Sequence, residues 1–552
     1  MRRCISLALL GVVILAGCGK PTQSSSSPAA SSTPKGEKSA GTQPGEDPNE
    51  AKALQLYDKW DHAHDVKLSA EDIASLPANA AESARRFGTV IDLQMLLGRD
   101  SNPDLYNKIN ELARKQVEAV KAEVSKQPKA VQDIFRSFLS GRGIRNPMVL
   151  DDSRVAFESD SNGYDPSDTD QNSDIYLWDW KDGSVKCQSS GEGVDGDWEC
   201  REIGAALGNG TIVFERRFNG LKSAAPKDAY PGAVQVRDPS APGPVSLTAL
   251  ESWTTEGNVL LPKEGDTRYF RLPAISGNGR RIAALIRFPD RENEAYQEGG
   301  NEGDQLVLLD RDTKTCRALS RKLGRLEPFA FSRDGNVIAI YAWPTLFDKG
   351  AQGDAGVFRL AVDGSPPKRI PIPEGAELNS VTPGRLAISG DGSRIVFQAR
   401  AGGQPQLYLY DDANGSVTLI SGTSSGVMGN GGSRMPCISA DGSKVAFVSG
   451  SNNLLPNEHG GVYLYDVATH QLSDPFASPT GDRHYASGGV NEEFSHISLS
   501  ADGGLLAFLT SDTKLPGVHV PKNAPVGFLP DRLFVVRLKD HEYAIVGSPL
   551  KP

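Results

Sequence analysis

Asp168, Asp170, Asn172 and Asp174 place oxygen ligands at every second residue, the spacing with which calcium loops wrap a hard cation. The glycine of the sharp turn and the later bidentate glutamate of such loops are both missing. A calcium site therefore stands beside a plain solvated connection as the reading of this stretch. His62 and His64 lie between Asp61 and Asp65, but residues two apart on a helix do not share a face, so they read as solvated surface. Gly422-Thr-Ser424-Ser-Gly426 has the outline of a nucleophile elbow, yet it follows a strand and no helix comes after it. No phosphate-binding loop, HExxH pair or dinucleotide fingerprint is present. His484, Glu493 and His496 have the chemistry of general acids and bases. A paired-carboxylate mechanism needs two acids converging on one pocket, whereas Glu492 and Glu493 are adjacent and point apart on a strand. The sequence thus assigns no catalytic residue. It favours a non-catalytic binding protein, with a hydrolase or lyase acting on glycans or peptides as the alternative. No cofactor is expected beyond the calcium weighed above.

The cysteines carry a different chemistry. Arg2 and Arg3 precede an apolar run, Leu7 to Leu15, followed by Ala16-Gly17-Cys18. A charged start, a short apolar segment and small residues at the cut make a secretory signal, and the run is too short to span a bilayer. Leu15-Ala16-Gly17-Cys18 resembles the bacterial lipobox, which implies a diacylated Cys18 as the mature N-terminus. Gly19 in place of aspartate implies, in a Gram-negative envelope, sorting to the outer membrane, with the folded part facing the periplasm. That compartment permits disulfides, and Cys187 and Cys200 are read as a pair across a Gly-rich loop. Cys437 reads as a small buried thiol at a crowded axis.

These residues must be positioned by repeated elements. Five units read SGNGRRIAAL (276–285), SRDGNVIAIY (332–341), SGDGSRIVFQ (389–398), SADGSKVAFV (439–448) and SADGGLLAFL (500–509). Two degenerate units, LDDSRVAFES (150–159) and LGNGTIVFER (207–216), precede them. Self-similarity at this period marks an array whose units cannot bury their apolar faces alone. In the unit at 385–421, RLAIS, RIVFQAR, QLYLYD and SVTLIS are four strands joined by short turns, a meander. Meanders in series form a β-propeller of seven blades, or six if the irregular second unit is not a blade. The run Pro-x-x-Ser-x-Asp-Gly-x-x-[Ile/Val]-Ala-Phe, with Pro273 and Pro436 three residues before Ser276 and Ser439, resembles the TolB-like propeller repeat over about 145–550.

The rest of the chain divides by composition. Residues 1–18 are the signal, and 19–50 are a Pro/Ser-rich tether with too little apolar surface to offset its ordering entropy. Segment 51–143 repeats apolar residues at helical spacing: Ala53, Leu56, Tyr57 and Trp60, then Leu105, Ile109, Leu112, Val120 and Val124, then Val131, Ile134, Phe135 and Phe138. A small α-helical domain is expected there, ahead of a mainly β propeller over 144–552. TolB itself has an α/β domain at that place, so the resemblance implies no TolA-type partner. A net charge of −10 and the lack of a basic, aromatic-interleaved stripe exclude a general nucleic-acid binder.

Antiparallel geometry separates the loops. Naming the strands of a blade A to D from the axis outward, the A–B and C–D turns share one face; the B–C and D–A loops share the other. The first set is short and uniform, whereas the B–C loops at 159–173, 289–304, 343–355, 450–460 and 511–531 are long. Long, varied loops on a rigid scaffold are where binding resides. They are acidic, with Asp290, Glu292, Glu294 and Glu298 in one of them. Five residues before each repeat serine, Arg145, Arg271, Glu327 and Arg434, together with His496, are placed at the channel mouth on the same face. The expected partners are the membrane, through the lipid, and an envelope protein, peptide or glycan.

Overall fold

A computed structural model describes residues 48–61, 115–132, 135, 144–160, 164–165, 173–189, 198–205, 209–218, 232–239, 241, 243–247, 253–259, 261, 269–288, 303–322, 329–378, 386–455, 461–476, 497–510 and 532–546. After residue 144 the strands form seven antiparallel meanders, so the irregular second unit is a blade. The third blade gains a fifth strand, Thr254–Glu256, laid parallel to its outer strand Thr315–Ala318. Second strands are covered on both sides by neighbouring blades. They therefore read as continuous apolar runs rather than alternating ones, as in the fully buried Ile395-Val396-Phe397 and Ile282-Ala283-Ala284.

Each innermost strand touches the next around the axis, and the last, Ser498–Leu499, touches the first, Arg145–Val149. At that seam the Val149 N–H donates to Ser498 Oγ at 3.0 Å. Phe157, Tyr176 and Trp178 of the first blade pack with Leu505, Leu509, Leu533 and Val535 of the last. No strand is exchanged across the seam among the described residues; side chains close the ring.

The repeat motif is a latch. Ser276, Ser332, Ser389, Ser439 and Ser500 each donate to the Asp or Asn oxygen two residues on, at 2.5–2.7 Å. Each hydroxyl also accepts the backbone N–H five residues on, at 2.8–3.0 Å. The glycine that follows sits at φ of 66–74°, open to a residue without Cβ. Burial alone would raise the Asp391 carboxyl, but the Ser389 hydroxyl and the Ser393 N–H and hydroxyl outweigh it and hold it below the usual carboxylate range.

The latches are also linked to one another. Gly390 N–H donates to Ala440 O at 2.7 Å, and Ala440 N–H to Ala501 O at 2.8 Å. Arg281, Arg394 and Lys444 reach the glycine carbonyl of the next blade, at Gly335, Gly442 and Gly503. Where that position is Val337, Arg359 from the third strand supplies the bond, to Gly392 O at 3.1 Å. Ser389→Ala leaves the Arg394 N–H without its acceptor in a buried turn. It is expected to cost about 1–3 kcal/mol, read as a lowered denaturant midpoint at unchanged slope. An unchanged midpoint contradicts the latch.

The helical segment has its own core. Ala53, Leu56, Tyr57 and Trp60 of the helix Pro48–Asp61 bury against Val117, Val120 and Val124 of 115–124 and against Val131 and Phe135. His62, His64 and the apolar positions Leu105, Ile109 and Leu112 lie outside the described residues. Among the described residues no helix is long and apolar enough to cross a membrane.

Candidate functional site

Four innermost strands share a β-bulge at the same place. Register breaks after Arg145, Arg201, Arg271 and Arg434, three residues before pairing resumes at Met148, Gly204, Ala274 and Cys437. In three of them the next residue is a non-glycine in the left-handed region, Asn146 (φ 48°), Leu272 (48°) and Met435 (55°), and a proline follows. Each such residue costs about 1–3 kcal/mol, which the surrounding structure must over-determine. Bulges re-aim side chains, and here the residue at the break is arginine every time. The arginines occupy the end of the strand that the D–A loop enters.

Arg201 is the member that the sequence hides. The second unit's turn, Leu207-Gly-Asn-Gly210, is one residue out of step with Ser276-Gly-Asn-Gly279. Strand pairing restores the alignment, because Ala205 faces Ile212 as Ile275 faces Ile282.

The arginines differ in their counter-ions. Arg145 is held by Asp160, at 2.9 and 2.5 Å, and by Ser173 Oγ at 2.7 Å. Glu158 faces it across the strands, accepts Asn146 Nδ2 at 2.6 Å and takes the Ile203 N–H of the next blade at 3.2 Å. Glu158, 3.7 Å from the Arg145 guanidinium, is the group that reaches the next blade. Glu215 faces Arg201 in the same register, but Arg271 faces Leu285 and Arg434 faces Val448. No hydrogen bond or ion pair engages the Arg271 guanidinium among the described residues, and its Nε is buried without an acceptor. An anion arriving from outside gains most there, since charge-assisted bonds to guanidinium are the strong ones.

Other expected residues fall elsewhere. Cys18, Asp168, Asp170, Asn172, Asp290, Glu292, Glu294, Glu298, Glu327 and His496, with His484 and Glu493, lie outside the described residues. Asp174 is buried and accepts the Ser189 hydroxyl at 2.5 Å, while Ser189 takes the Ile175 N–H at 2.9 Å. Gln406, Ser421 and Leu407 repeat the arrangement, so Asp174 belongs to a latch that pins the D–A crossing. Among the described residues no group of three His, Cys, Asp or Glu side chains could hold a metal.

Cys187 and Cys200 are both buried, and here the structure corrects the expected disulfide: they are free thiols. The Ser189 hydroxyl lies 3.5 Å from Cys187 Sγ, a polar contact that a disulfide would replace. Burial, then the nearby Asp174 carboxylate, pushes the Cys200 thiol well up. Cys437 is partly buried at the axis, and burial raises it to about 12. Ser424 sits on the exposed tip of a hairpin in which Gly422 pairs with Met428, so no elbow forms.

No protein-family model matches the chain, and no curated protein does. Solved structures match at low identity. TolB from Acinetobacter baumannii is 15% identical over 73% of this chain and 77% of that one, with a TM-score of 0.33. An oligogalacturonate lyase in complex with manganese is 12% identical over 67% and 87%, at 0.38. A prolyl endopeptidase is 11% identical over 81% of this chain and 55% of its own, at 0.44. The repeat and the seven meanders decide the type. The chain is a seven-bladed β-propeller. At these identities the likeness is one of fold, and this chain spans about half of the endopeptidase it matches. What the propeller does rests on its own residues.

Proposed function

We propose that this chain is a lipid-anchored envelope protein whose TolB-like propeller captures a protein or peptide partner, without catalysis, through the face of the B–C and D–A loops. The contrast between the two faces carries this reading. On the short-turn face the polar groups of the repeat satisfy one another, latch to latch from the third blade to the seventh. The opposite face carries Arg271, whose guanidinium has no partner among the described residues, and the exposed apolar side chains Trp343, Val427 and Met428. Rigid scaffolding under polar and apolar groups that have no internal partner is what a binding surface requires.

Charge reversal tests the assignment. Changing Asp290, Glu292, Glu294 and Glu298 together to Lys is expected to abolish capture of crosslinked envelope partners. Folding should change little, because isolated exposed charges contribute within about 0.5 kcal/mol each. The loss should appear in association rate and salt dependence, as for charges that steer encounter. Asp391 and Asp441 are unsuitable controls, since both are acceptors in latches. Asp152→Lys with Lys539→Glu reverses exposed charges on the short-turn face without touching one. If the control abolishes capture at equal stability and the loop variant does not, the functional face is the other one.

A further inference from the structure

The bulged strands let the molecule serve as its own comparison. In the first blade Arg145 donates to Asp160 and Ser173, and Glu158 stands opposite it. In the second, Glu215, fully buried, stands opposite Arg201. In the third, the residue opposite Arg271 is Leu285, also fully buried. The carboxylate that this end of the third blade does carry, Asp304, is engaged elsewhere: it faces Arg287 and accepts from its guanidinium at 3.1 and 3.2 Å. Arg271 is half-buried, with its Nε closed off from solvent and without an acceptor, and nothing among the described residues bonds the rest of its guanidinium.

The backbone holds that position under strain. Pairing breaks after Arg271, Leu272 takes a φ of 48°, and pairing resumes at Ala274. The strand is also pressed against the second blade. A Cβ on Gly204 would lie 2.5 Å from the Pro273 carbonyl oxygen and 2.9 Å from Ala274 Cα. Gly204 is where pairing resumes in the second blade, the same register as Ala274 in the third. The bulge that carries Arg271 is thus buttressed by neighbouring backbone, at a place where any side chain would collide.

A strained, buttressed backbone presenting an unsatisfied cation is the reverse of what folding alone selects. Buried donors without acceptors are rare, and each calls for an account. A ligand supplies one. Guanidinium pairs best with a planar carboxylate, through two parallel charge-assisted bonds. Multiply charged anions fit poorly, because the net charge is −10 and the same blade's B–C loop carries Asp290, Glu292, Glu294 and Glu298. Those acids favour a basic partner, and Arg271 asks of that partner a single carboxylate near the axis. The end of a peptide meets both demands. It carries one negative charge whatever its sequence, and its tip reaches an innermost strand without the chain doubling back.

We propose that Arg271 receives the C-terminal carboxylate of a peptide whose preceding residues are basic. Capture of a chain end is a recurring mode of peptide recognition. The proposal rests on the reading of the loop face as the binding face, and it names the group that this face receives and the residue that receives it.

Fluorescence anisotropy with the full chain tests it, using ten-residue peptides labelled at the N-terminus and alternating Lys with Ala. The free acid is expected to bind saturably, and its C-terminal amide at least tenfold more weakly. A free acid with Glu in place of Lys should also bind at least tenfold more weakly. Arg271→Gln should bring the free acid down to the affinity of the amide and leave the amide unchanged, a coupling that loss of one general positive charge does not produce. Because the guanidinium has no partner within the described fold, Arg271→Gln should not lower the melting temperature. Arg145→Gln, which removes the bonds to Asp160 and Ser173, should lower it. Asp152→Lys with Lys539→Glu should leave all three peptides unchanged. Equal binding of acid and amide, an Arg271→Gln effect of equal size on both, no saturable binding, or a melting temperature that falls as for Arg145→Gln overturns the proposal. An amidated peptide with one internal Asp that binds as the free acid does overturns it too, in favour of a side-chain carboxylate. If reversing Asp290, Glu292, Glu294 and Glu298 abolishes capture of envelope partners and Arg271→Gln does not, the face assignment stands and the Arg271 site does not.

Discussion

Ending the chain before Leu533 is expected to yield no soluble monomer. Leu533, Phe534, Val535 and Val536 are at most 1% exposed, and they alternate between two seams. Leu533 and Val535 join the cluster that the last blade shares with the first, alongside Phe157 and Trp178. Phe534 and Val536 join the cluster shared with the sixth blade, alongside Ala446 and Val448. Burying one large apolar side chain contributes about 1.5–3 kcal/mol. Four of them approach the roughly 5–15 kcal/mol that holds a domain folded at all. The truncation also strips the partner from the strand Leu505–Thr510 and leaves an apolar edge open to pairing with other chains. Deleting 1–143 is the contrasting case. Among the described residues no propeller side chain belongs to the core built on Leu56, Tyr57 and Trp60, so a chain starting near Ile144 should keep its yield and its melting temperature. Size-exclusion chromatography and thermal melts of the two truncations check the pair. Equal behaviour of the Leu533 truncation and the full chain contradicts a ring closed by packing.

What was legible in the sequence is what is local. The Ser-x-Asp-Gly turn is read from four adjacent residues because its bonds span two and five positions, as at Ser389 with Asp391 and Arg394. The apolar second strands are legible for the same reason, and together they fix the blade order. The arginines at 145, 271 and 434 are also legible, because a constant distance to the start of the repeat motif, at Leu150, Ser276 and Ser439, is a local property.

Contacts between blades are not. Nothing in the order of residues announces that Arg359 replaces the missing Arg or Lys at Val337, since the two meet at Gly392 from different strands and different blades. Asp174 reads as one of four evenly spaced oxygen ligands until its partner, 15 residues away, turns out to be a serine beyond the next strand. The same serine lies against Cys187, which spacing alone pairs with Cys200. Arg201 was hidden by a one-residue slip in a degenerate turn, and strand pairing removes the slip. Local chemistry sets the scaffold here, and the groups that distinguish its two faces depend on how scaffold units meet.

Replacing Cys18 with Ser is expected to release the protein from membranes. The anchor proposed here is lipid on that one sulfur, with residues 19–50 as a tether. A flexible tether of that length, at about 5–6 Å times the square root of length, would hold the folded part on the order of 30 Å from the surface. Each buried CH₂ contributes about 0.8 kcal/mol, so a single chain binds marginally and two or more hold firmly. Wild-type protein should therefore stay wholly with membranes through a carbonate wash and carry acyl chains on Cys18 by mass spectrometry. Cys18→Ser should appear either as soluble protein or as a precursor that keeps residues 1–17, and intact mass distinguishes the two. The soluble form should still capture its partner in solution, because anchoring and capture use different parts of the chain. If Cys18→Ser protein of mature mass stays wholly in the membrane pellet after the wash, Cys18 is not the anchor.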